Sequence, residues 1–156
     1  MHVVIVRPVT SADVPGVVAL VRDTLAEFGL RFGEGSETDD ELGHLPGSYE
    51  KRGGSFWVAV DEGGRVMGTC GVFPVGPGDM ELRKMYLHPG ARGTGLGKRL
   101  LEESVSWCRA HGAGRIVLDT TEQMTRAIAF YEANGFVRDD AQVRGSRCSR
   151  GYARRI

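Results

Sequence analysis

The chain has 156 residues, of which 20 are Lys or Arg and 20 are Asp or Glu, so its formal net charge at pH 7 is zero. The length suits one domain with a sizeable core. The balanced charge offers no basic excess for a nucleic-acid backbone, and no apolar run approaches the ~20 residues of a membrane span. We therefore expect one domain over residues 1–156 that binds neither nucleic acid nor membrane.

The three cysteines are Cys70, Cys108 and Cys148, an odd number at wide spacing. They form no Cys-x-x-Cys or Cys/His pattern, so neither a disulfide framework nor a metal site is predicted. The apolar stretch at the start of the sequence is too short for a signal peptide, because Arg7-Pro8 interrupts it. These features indicate a cytoplasmic protein with reduced thiols.

The first third of the chain predicts a strand and a helix. Residues 3–6 form a short apolar run. Thr10 to Asp13 has the form of a capping box, and apolar residues between Val14 and Phe28 recur at helical spacing, so a helix is predicted to end at Gly29. Residues 31–51 are polar and irregular, with a second short helix expected there.

The middle of the chain predicts three strands, at about 55–61, 66–74 and 80–88, joined by short glycine-containing turns as an antiparallel meander. The remaining elements are a helix from Leu96, a buried strand over 115–120, a helix over about 123–134 and two short strands. The helical crossover makes the buried strand parallel to its predecessor. The predicted fold class is α/β (α+β), with a mixed, mostly antiparallel central sheet flanked by helices.

The segment Leu82 to Gly97, LRKMYLHPGARGTGLG, joins an apolar strand to an amphipathic helix through a glycine-rich loop. The loop glycines lack a Cβ, so a ligand can lie against the backbone. The unpaired N–H groups and positive dipole end of the helix favour a phosphate or pyrophosphate. Arg92, Lys98 and Arg99 add positive charge beside that position.

Two common phosphate loops do not fit this segment. A P-loop needs two glycines followed by Lys and Ser or Thr, but Arg92 stands at the first glycine and Arg99 replaces the hydroxyl residue. A dinucleotide fingerprint needs G-x-G-x-x-G and an acid about 20 residues later, but the spacing here is G-x-G-x-G and position 117 is Val. A glycine turn without a ligand remains the plain alternative.

Arg92, Gly95 and Gly97 instead form R-x-x-G-x-G after a strand that ends in His88-Pro89. This pattern resembles the coenzyme A loop of the GNAT N-acetyltransferase superfamily. Residues 5–21 resemble its first strand and helix, and residues 127–136 resemble its A-x-x-F-Y-E-x-x-G-F segment. The three stretches in this order imply a GNAT acyl-CoA N-acyltransferase fold over nearly the whole chain, with acetyl-CoA as co-substrate and no metal.

The resemblance implies which residues hold the coenzyme. The amides from Arg92 to Lys98 would cradle the pyrophosphate. The strand before the loop would splay from its parallel neighbour, so that Leu87 can pair with pantetheine amides. Met124 departs from the family, since many members carry there an Asn that contacts the coenzyme. The full set is Met85, Tyr86, Leu87, Arg92, Gly93, Thr94, Gly95, Leu96, Gly97, Lys98, Ala127, Phe130 and Tyr131.

The resemblance also implies three catalytic residues. The backbone N–H of Met85 would polarise the thioester carbonyl, an effect that can be worth ~3 kcal/mol. Glu81, fourteen residues before Gly95, would be the base, because an alkylamine with a pKa of ~10.4 arrives as ammonium. Tyr131 would be the acid, because a phenol with a pKa of ~10 can protonate a thiolate without being ionised itself.

Structural roles are the alternatives for both side chains. Strand alternation would place Glu81 on one face with Arg83, Met85 and Leu87, where Arg83 could pair with it, lower its pKa and weaken it as a base. Tyr131 could instead be a core residue. The Arg residues from Arg144 to Arg155 are predicted to be a solvated strand face or tail that could meet acidic partners.

The predicted activity is transfer of acetyl from acetyl-CoA to a small-molecule or peptide primary amine by direct attack. Family topology suggests Phe28, Arg31, Glu41 and Tyr49 on the acceptor side, with His44 and His88 as further candidate bases and Trp57 and Trp107 in the core. Dimers are common in the superfamily, so a homodimer is compatible with the resemblance. Two alternatives stay open: a non-catalytic acyl-CoA-binding or regulatory module of the same fold, and a nucleotide enzyme that uses the glycine loop.

Overall fold

The computed structural model describes residues 3–34 and 37–156. Within these residues, seven strands form one sheet in the spatial order β1-β2-β3-β4-β5-β7-β6. Strand β4 is parallel to β5, and all the other neighbouring pairs are antiparallel, so the predicted mixed, mostly antiparallel sheet is confirmed. The strands are β1 (Ile5–Pro8), β2 (Ser55–Val60), β3 (Val66–Gly76), β4 (Asp79–Leu87), β5 (Arg115–Thr120), β6 (Val137–Arg138) and β7 (Arg150–Arg155).

The four helices of the described residues lie in the segments where the sequence predicts them. They are α1 (Val14–Glu27), α2 (Gly47–Glu50), α3 (Leu96–Ala110) and α4 (Thr125–Ala133), and a 3-10 segment, Glu37–His44, precedes α2. Among the described residues, no helix is both long enough and apolar enough to cross a membrane.

The predicted capping box at Thr10 starts a 3-10 turn, Ser11–Asp13, that leads directly into α1. The Thr10 N–H donates to Asp13 Oδ2 at 2.8 Å, and Arg7 donates to both Asp13 oxygens at 2.7 and 2.9 Å. The hydrogen bonds from Arg7 lower the pKa of Asp13 to about 2. The helix ends just before Gly29, whose φ of +71° only glycine adopts readily. Both ends of α1 are therefore fixed by local sequence.

Two hydrophobic clusters cover the two faces of the sheet. Trp57 and Ala59 of β2 belong to the α3-face cluster, which α3 and α4 complete. Phe56 and Val58 of the same strand belong to the α1-face cluster, which α1 completes. Successive side chains of a strand point to opposite faces, so a strand buried on both faces is apolar throughout. This explains the continuous apolar run of β2.

Strand β4 contains a β-bulge that the predicted alternation does not anticipate. Arg83 pairs with Gly71 and Tyr86 with Thr69, so Lys84 and Met85 together oppose the single residue between those partners. An extra residue moves every later side chain to the other face. Met85 and Leu87 accordingly pack in the α3-face cluster, while Tyr86 packs in the α1-face cluster. The predicted shared face of Glu81 with Met85 and Leu87 is wrong.

Candidate active site

Strands β4 and β5 separate halfway along their length. Their pairing runs from Asp79 with Arg115 to Glu81 with Val117 and stops there. The unpaired ends of the two strands open a gap in the sheet, as the family resemblance implied. Two cavities lie at this gap, and both are lined by Met85, Tyr86, Met124 and Tyr131.

The first cavity, of about 230 Å³, is called the loop cavity here because the glycine-rich loop forms one side of it. It brings together much of the coenzyme-binding set expected from the sequence. The predicted residues that line it are Met85, Tyr86, Leu87, Arg92, Gly93, Gly97, Ala127, Phe130 and Tyr131. Arg126 and Phe28 line it as well. Arg126 brings a cation that the sequence reasoning missed.

Four predicted coenzyme residues do not line the loop cavity: Thr94, Gly95, Leu96 and Lys98. The Leu96 side chain is buried in the α3-face cluster, and the Thr94 hydroxyl donates to the Ala91 carbonyl. Gly95 has a φ of +86° and immediately precedes α3. A Cβ built on Gly95 would have no other atom within 4 Å. Thr94, Gly95 and Leu96 therefore offer a ligand main chain at the start of a helix, while Lys98 also has an exposed side chain.

The β4 bulge lies at the junction of the two cavities. Lys84 has a φ of +52°, a conformation that non-glycine residues rarely adopt. The Thr69 hydroxyl donates to the Lys84 carbonyl at 2.6 Å and holds this backbone in place. Met85, the next residue, is thereby left without a pairing partner on β3. Strained backbone held by its surroundings is common at functional sites.

Tyr131 comes to the junction from α4. Its side chain is buried, and burial raises the pKa of the phenol well above its ordinary value near 10. The Tyr131 hydroxyl has no hydrogen-bond partner among residues 3–34 and 37–156. Met124, where the family often has Asn, is also buried and lines both cavities. The phenol therefore stays protonated and has a proton to donate to a ligand.

The second cavity, of about 670 Å³, is called the arginine cavity here because Arg83, Arg144 and Arg147 line it. Glu81 lies in its wall with a side chain only 6% exposed. Arg83 Nε donates to Glu81 Oε1 at 2.6 Å, and Arg144 Nη1 donates to Glu81 Oε2 at 3.3 Å. The expected contact between Glu81 and Arg83 is present, while Arg144 is a partner that the sequence did not reveal.

A buried ion cluster supports the arginine cavity. Asp39 accepts hydrogen bonds from Lys84, from Arg147 at 2.9 and 3.1 Å, and from the Gly33 N–H at 2.7 Å. Burial alone would raise the pKa of Asp39, but hydrogen bonds from Arg147 and the charge of Lys84 outweigh it and lower that pKa. Burial lowers the pKa of Lys84. The cluster ties the segment before α2 to the β4 bulge and to the loop before β7.

The loop before β7 is fixed by Asp119 at the end of β5. Asp119 Oδ2 accepts the backbone N–H groups of Arg144 at 2.7 Å and Gly145 at 2.8 Å. This loop carries the Arg144 and Arg147 side chains to the cavity. The prediction of a solvated face or tail is wrong for Arg147, whose side chain is 11% exposed, whereas Arg144 remains 42% exposed.

Most of the acceptor-side residues suggested by family topology lie elsewhere. Phe28 lines the loop cavity, and Tyr49 is buried in the α1-face cluster. Glu41 pairs with Arg83 at 3.3 Å but lines neither cavity. Arg31 does not line the arginine cavity, and its carbonyl accepts a hydrogen bond from Arg147. From that segment, the arginine cavity is lined by Gly33, Thr38 and Asp40.

The histidines named from the sequence do not lie at the junction. His44 is exposed, and the His88 ring accepts the Gly90 N–H. Neither lines the loop or arginine cavity, so neither is placed to act as a base there. Trp57 lies in the core, as expected, whereas Trp107 is half-buried and stacks on His111. Within the described residues, no group of three or more His, Cys, Asp or Glu is placed to hold a metal ion.

Comparisons with known proteins point to one family. The acetyltransferase (GNAT) family model matches residues 19–136. The chain is 35% identical over 136 residues to the uncharacterized N-acetyltransferase YjgM of Escherichia coli (strain K12), covering 85% of this chain and 81% of that protein. It is 34% identical over 125 residues to an uncharacterized N-acetyltransferase of Schizosaccharomyces pombe, covering 80% and 76%.

Solved structures share the fold. An acetyltransferase of the GNAT family from Staphylococcus aureus MU50 has a TM-score of 0.90 at 22% identity, covering 98% of this chain and 99% of that chain. The PaiA N-acetyltransferase of Thermoplasma acidophilum, solved in complex with coenzyme A, has a TM-score of 0.79 at 19% identity, covering 99% of both chains. These likenesses confirm the predicted fold.

Proposed function

The chain belongs to the GNAT family of acetyltransferases, and from that membership we propose that it transfers the acetyl group of acetyl-CoA to a primary amine by direct attack on the thioester. Residues 1–156 act in this proposal as one domain. One observation carries it: two cavities adjoin at Met85 and Tyr131, one lined by the expected coenzyme residues and the other by a carboxylate, Glu81.

The glycine-rich loop holds the pyrophosphate in this proposal. Gly93 has a φ of +77°, and no other atom lies within 4 Å of a Cβ built on it, as at Gly95. That open main chain precedes the N-terminus of α3, where N–H groups and the helix dipole favour an anion. Phe130 and Ala127 supply apolar surface in the loop cavity for the pantetheine arm. Leu87 lies on the part of β4 that β5 no longer pairs, and offers backbone groups there to the pantetheine amides.

The bulge prepares a donor for the thioester carbonyl. Met85 has no pairing partner on β3, so we assign its N–H to the oxygen that becomes negative as the amine attacks. A preorganised N–H donor at such an oxygen can lower the barrier by ~3 kcal/mol. Lys84, held in its unusual conformation by Thr69 and Asp39, fixes the direction of that N–H.

Glu81 accepts the proton that the ammonium must lose. Each of its oxygens carries one hydrogen bond from an arginine, which leaves acceptor sites for the substrate. The neutral amine attacks the carbonyl carbon, its nitrogen then loses a second proton to solvent, and the carbon–sulfur bond breaks as the tetrahedral intermediate collapses. The departing thiolate takes the Tyr131 proton, which solvent later replaces. The products are an N-acetyl amine and coenzyme A.

Release of coenzyme A thiol tests this function directly. We expect thiol to appear when the protein meets acetyl-CoA with a mixed panel of primary amines, and acetyl-CoA to raise the melting temperature where ATP and NAD do not. A ligand at ~100 times its Kd stabilises the folded state by ~2.7 kcal/mol. Stabilisation by ATP or NAD, with none by acetyl-CoA, would overturn the proposal. We place the reaction in the cytoplasm, which the free thiols of Cys70, Cys108 and Cys148 support.

A further inference from the structure

Arg144 differs from the other cations of the arginine cavity in how much of it remains accessible. Its side chain is 42% exposed, against 13% for Arg83 and 11% for Arg147. Arg144 Nη1 donates to Glu81 and to the Gln142 carbonyl, both at 3.3 Å. Its Nε and Nη2 groups have no partner among residues 3–34 and 37–156. Arg144 therefore keeps two nitrogens, with three N–H donors between them, for a ligand.

The other two guanidinium groups are already engaged. Arg147 donates to both oxygens of Asp39 and to the Glu34 carbonyl at 3.0 Å. Arg83 pairs with Glu81 and Glu41, and its guanidinium carbon lies 4.0 Å from the centre of the Phe73 ring. Both are thus part of the cavity wall.

The backbone that carries Arg144 is fixed before any ligand arrives. Asp119 accepts the N–H groups of Arg144 and Gly145, so the start of the side chain is held at the end of β5. Glu81, Asp40 and Asp119 all line the cavity, and Glu81 is the carboxylate that accepts a hydrogen bond from the accessible guanidinium of Arg144.

Resting on the proposed function, we propose that the acceptor is an α-amino acid with a free carboxylate, and that Arg144 binds this carboxylate while Glu81 receives the ammonium. In an α-amino acid the two charged groups are bonded to one carbon, so they lie as close together as Glu81 and Arg144 do. A planar guanidinium can bind a carboxylate through two parallel hydrogen bonds. A polyamine would instead bring a second cation to Arg144.

The test compares acceptors that differ only in the carboxylate. L-Phenylalanine, L-phenylalaninamide and 2-phenylethylamine share a side chain, and equivalent sets built on alanine and leucine remove any dependence on that choice. We expect kcat/KM, from thiol release with acetyl-CoA, to be at least about tenfold higher for the free acids, as expected for one charged hydrogen-bonded contact. Equal or faster acetylation of the amides or decarboxylated amines would overturn the inference and leave acetyl transfer intact.

Variants assign the effect to Arg144. In Arg144→Gln, kcat/KM for the free acids should fall at least about tenfold more than kcat/KM for the decarboxylated amines, because both kinds of acceptor share any effect of the lost hydrogen bond to Glu81. Arg144→Lys should recover part of the loss, because it restores the charge but not the paired geometry. The matched control is Arg138→Gln, which removes an exposed arginine of β6 paired with Asp140. An unchanged preference for the free acids in Arg144→Gln would contradict the inference.

The melting temperature of the coenzyme A complex with added amino acids distinguishes an error about the acceptor from an error about the reaction. If no amine releases thiol although acetyl-CoA binds, the proposed amine acetylation fails for these acceptors. The amino acids must then still raise the melting temperature of the coenzyme A complex in the wild type and not in Arg144→Gln. If they do not, the inference about the acceptor fails as well.

Discussion

Arg92 of the glycine-rich loop and Glu27 at the end of α1 form a bidentate ion pair. The guanidinium donates to both carboxylate oxygens, at 2.8 and 2.9 Å, across 65 residues of sequence. The hydrogen bonds from Arg92 lower the pKa of Glu27. The arginine assigned to the pyrophosphate from sequence is thus neutralised by a partner that the loop motif does not contain.

Removing the charge of Glu27 should strengthen coenzyme binding. In Glu27→Gln the guanidinium of Arg92 is no longer paired with an anion, so we expect acetyl-CoA affinity to rise about two- to fivefold, the usual worth of an accessible ion pair. Calorimetric titration measures this, with Glu62→Gln in the β2–β3 turn as the control. Weaker binding would mean that Glu27 is needed to position Arg92.

Gly95 and Gly112 provide a matched pair for the role of the loop. Both have positive φ, +86° and +81°, and a Cβ built on either would have no atom within 4 Å. Alanine at either position should therefore cost about 1 kcal/mol of folding stability. Only Gly95→Ala should weaken acetyl-CoA binding, by about tenfold, because its methyl group would occupy the pyrophosphate position. Denaturant melts and titrations of both variants check this, and equal affinities would count against the loop assignment.

Tyr131→Phe removes the proposed acid with little change in shape. We expect kcat to fall about 100-fold, within the range for a general acid, while the Kd for acetyl-CoA stays close to that of the wild type. Tyr49→Phe is the control, because the Tyr49 hydroxyl is buried without a hydrogen-bond partner in the described part of the chain. Steady-state kinetics with coenzyme titration separates the two effects. A wild-type kcat in Tyr131→Phe would remove this residue from the mechanism.

The pH dependence of turnover follows from the same burial. Because burial raises the pKa of Tyr131, the phenol remains protonated throughout the range in which an ordinary tyrosine, at about 10, begins to ionise. We therefore expect that any loss of kcat between about pH 8 and 10 in the wild type also occurs in Tyr131→Phe. A falling alkaline limb that disappears in this variant would show that the phenol ionises within the range.

The buried cluster predicts an asymmetry in stability. Asp39→Asn leaves Lys84 and Arg147 without their shared anion and should cost about 3–5 kcal/mol, as expected when one partner of a buried ion pair is removed. Lys84→Met should cost less, since Asp39 keeps Arg147 and the Gly33 N–H. Urea denaturation measures both. Equal losses would mean that Asp39 and Lys84 act as an isolated pair.

Local patterns predicted the fold well. The bounds of β5, Arg115–Thr120, agree with its apolar run, and the capping box at Thr10 and the stop at Gly29 mark the two ends of α1. Each of these signals acts within a few residues of the position it controls. The same holds for the loop glycines, whose residue type alone indicates the backbone that they adopt.

The rest of the candidate site depends on contacts that are distant in sequence. Lys84 adopts a positive φ that its residue type does not suggest, and the bulge reverses the later alternation of β4. Arg144 reaches Glu81 across 63 residues because Asp119 holds its loop. No periodicity or motif marks this contact, so the sequence predicts the exposure of Arg144 but not its partner.

In the proposed function, the main chain from Arg92 to Lys98 holds the pyrophosphate of acetyl-CoA and presents its thioester between Met85 and Tyr131. The sharpest test is to titrate ¹⁵N-labelled protein with acetyl-CoA and to follow the amide chemical shifts. We expect saturable shifts centred on those loop amides and on the Met85 amide. Saturable shifts confined to other parts of the chain, or none at millimolar acetyl-CoA, would contradict it.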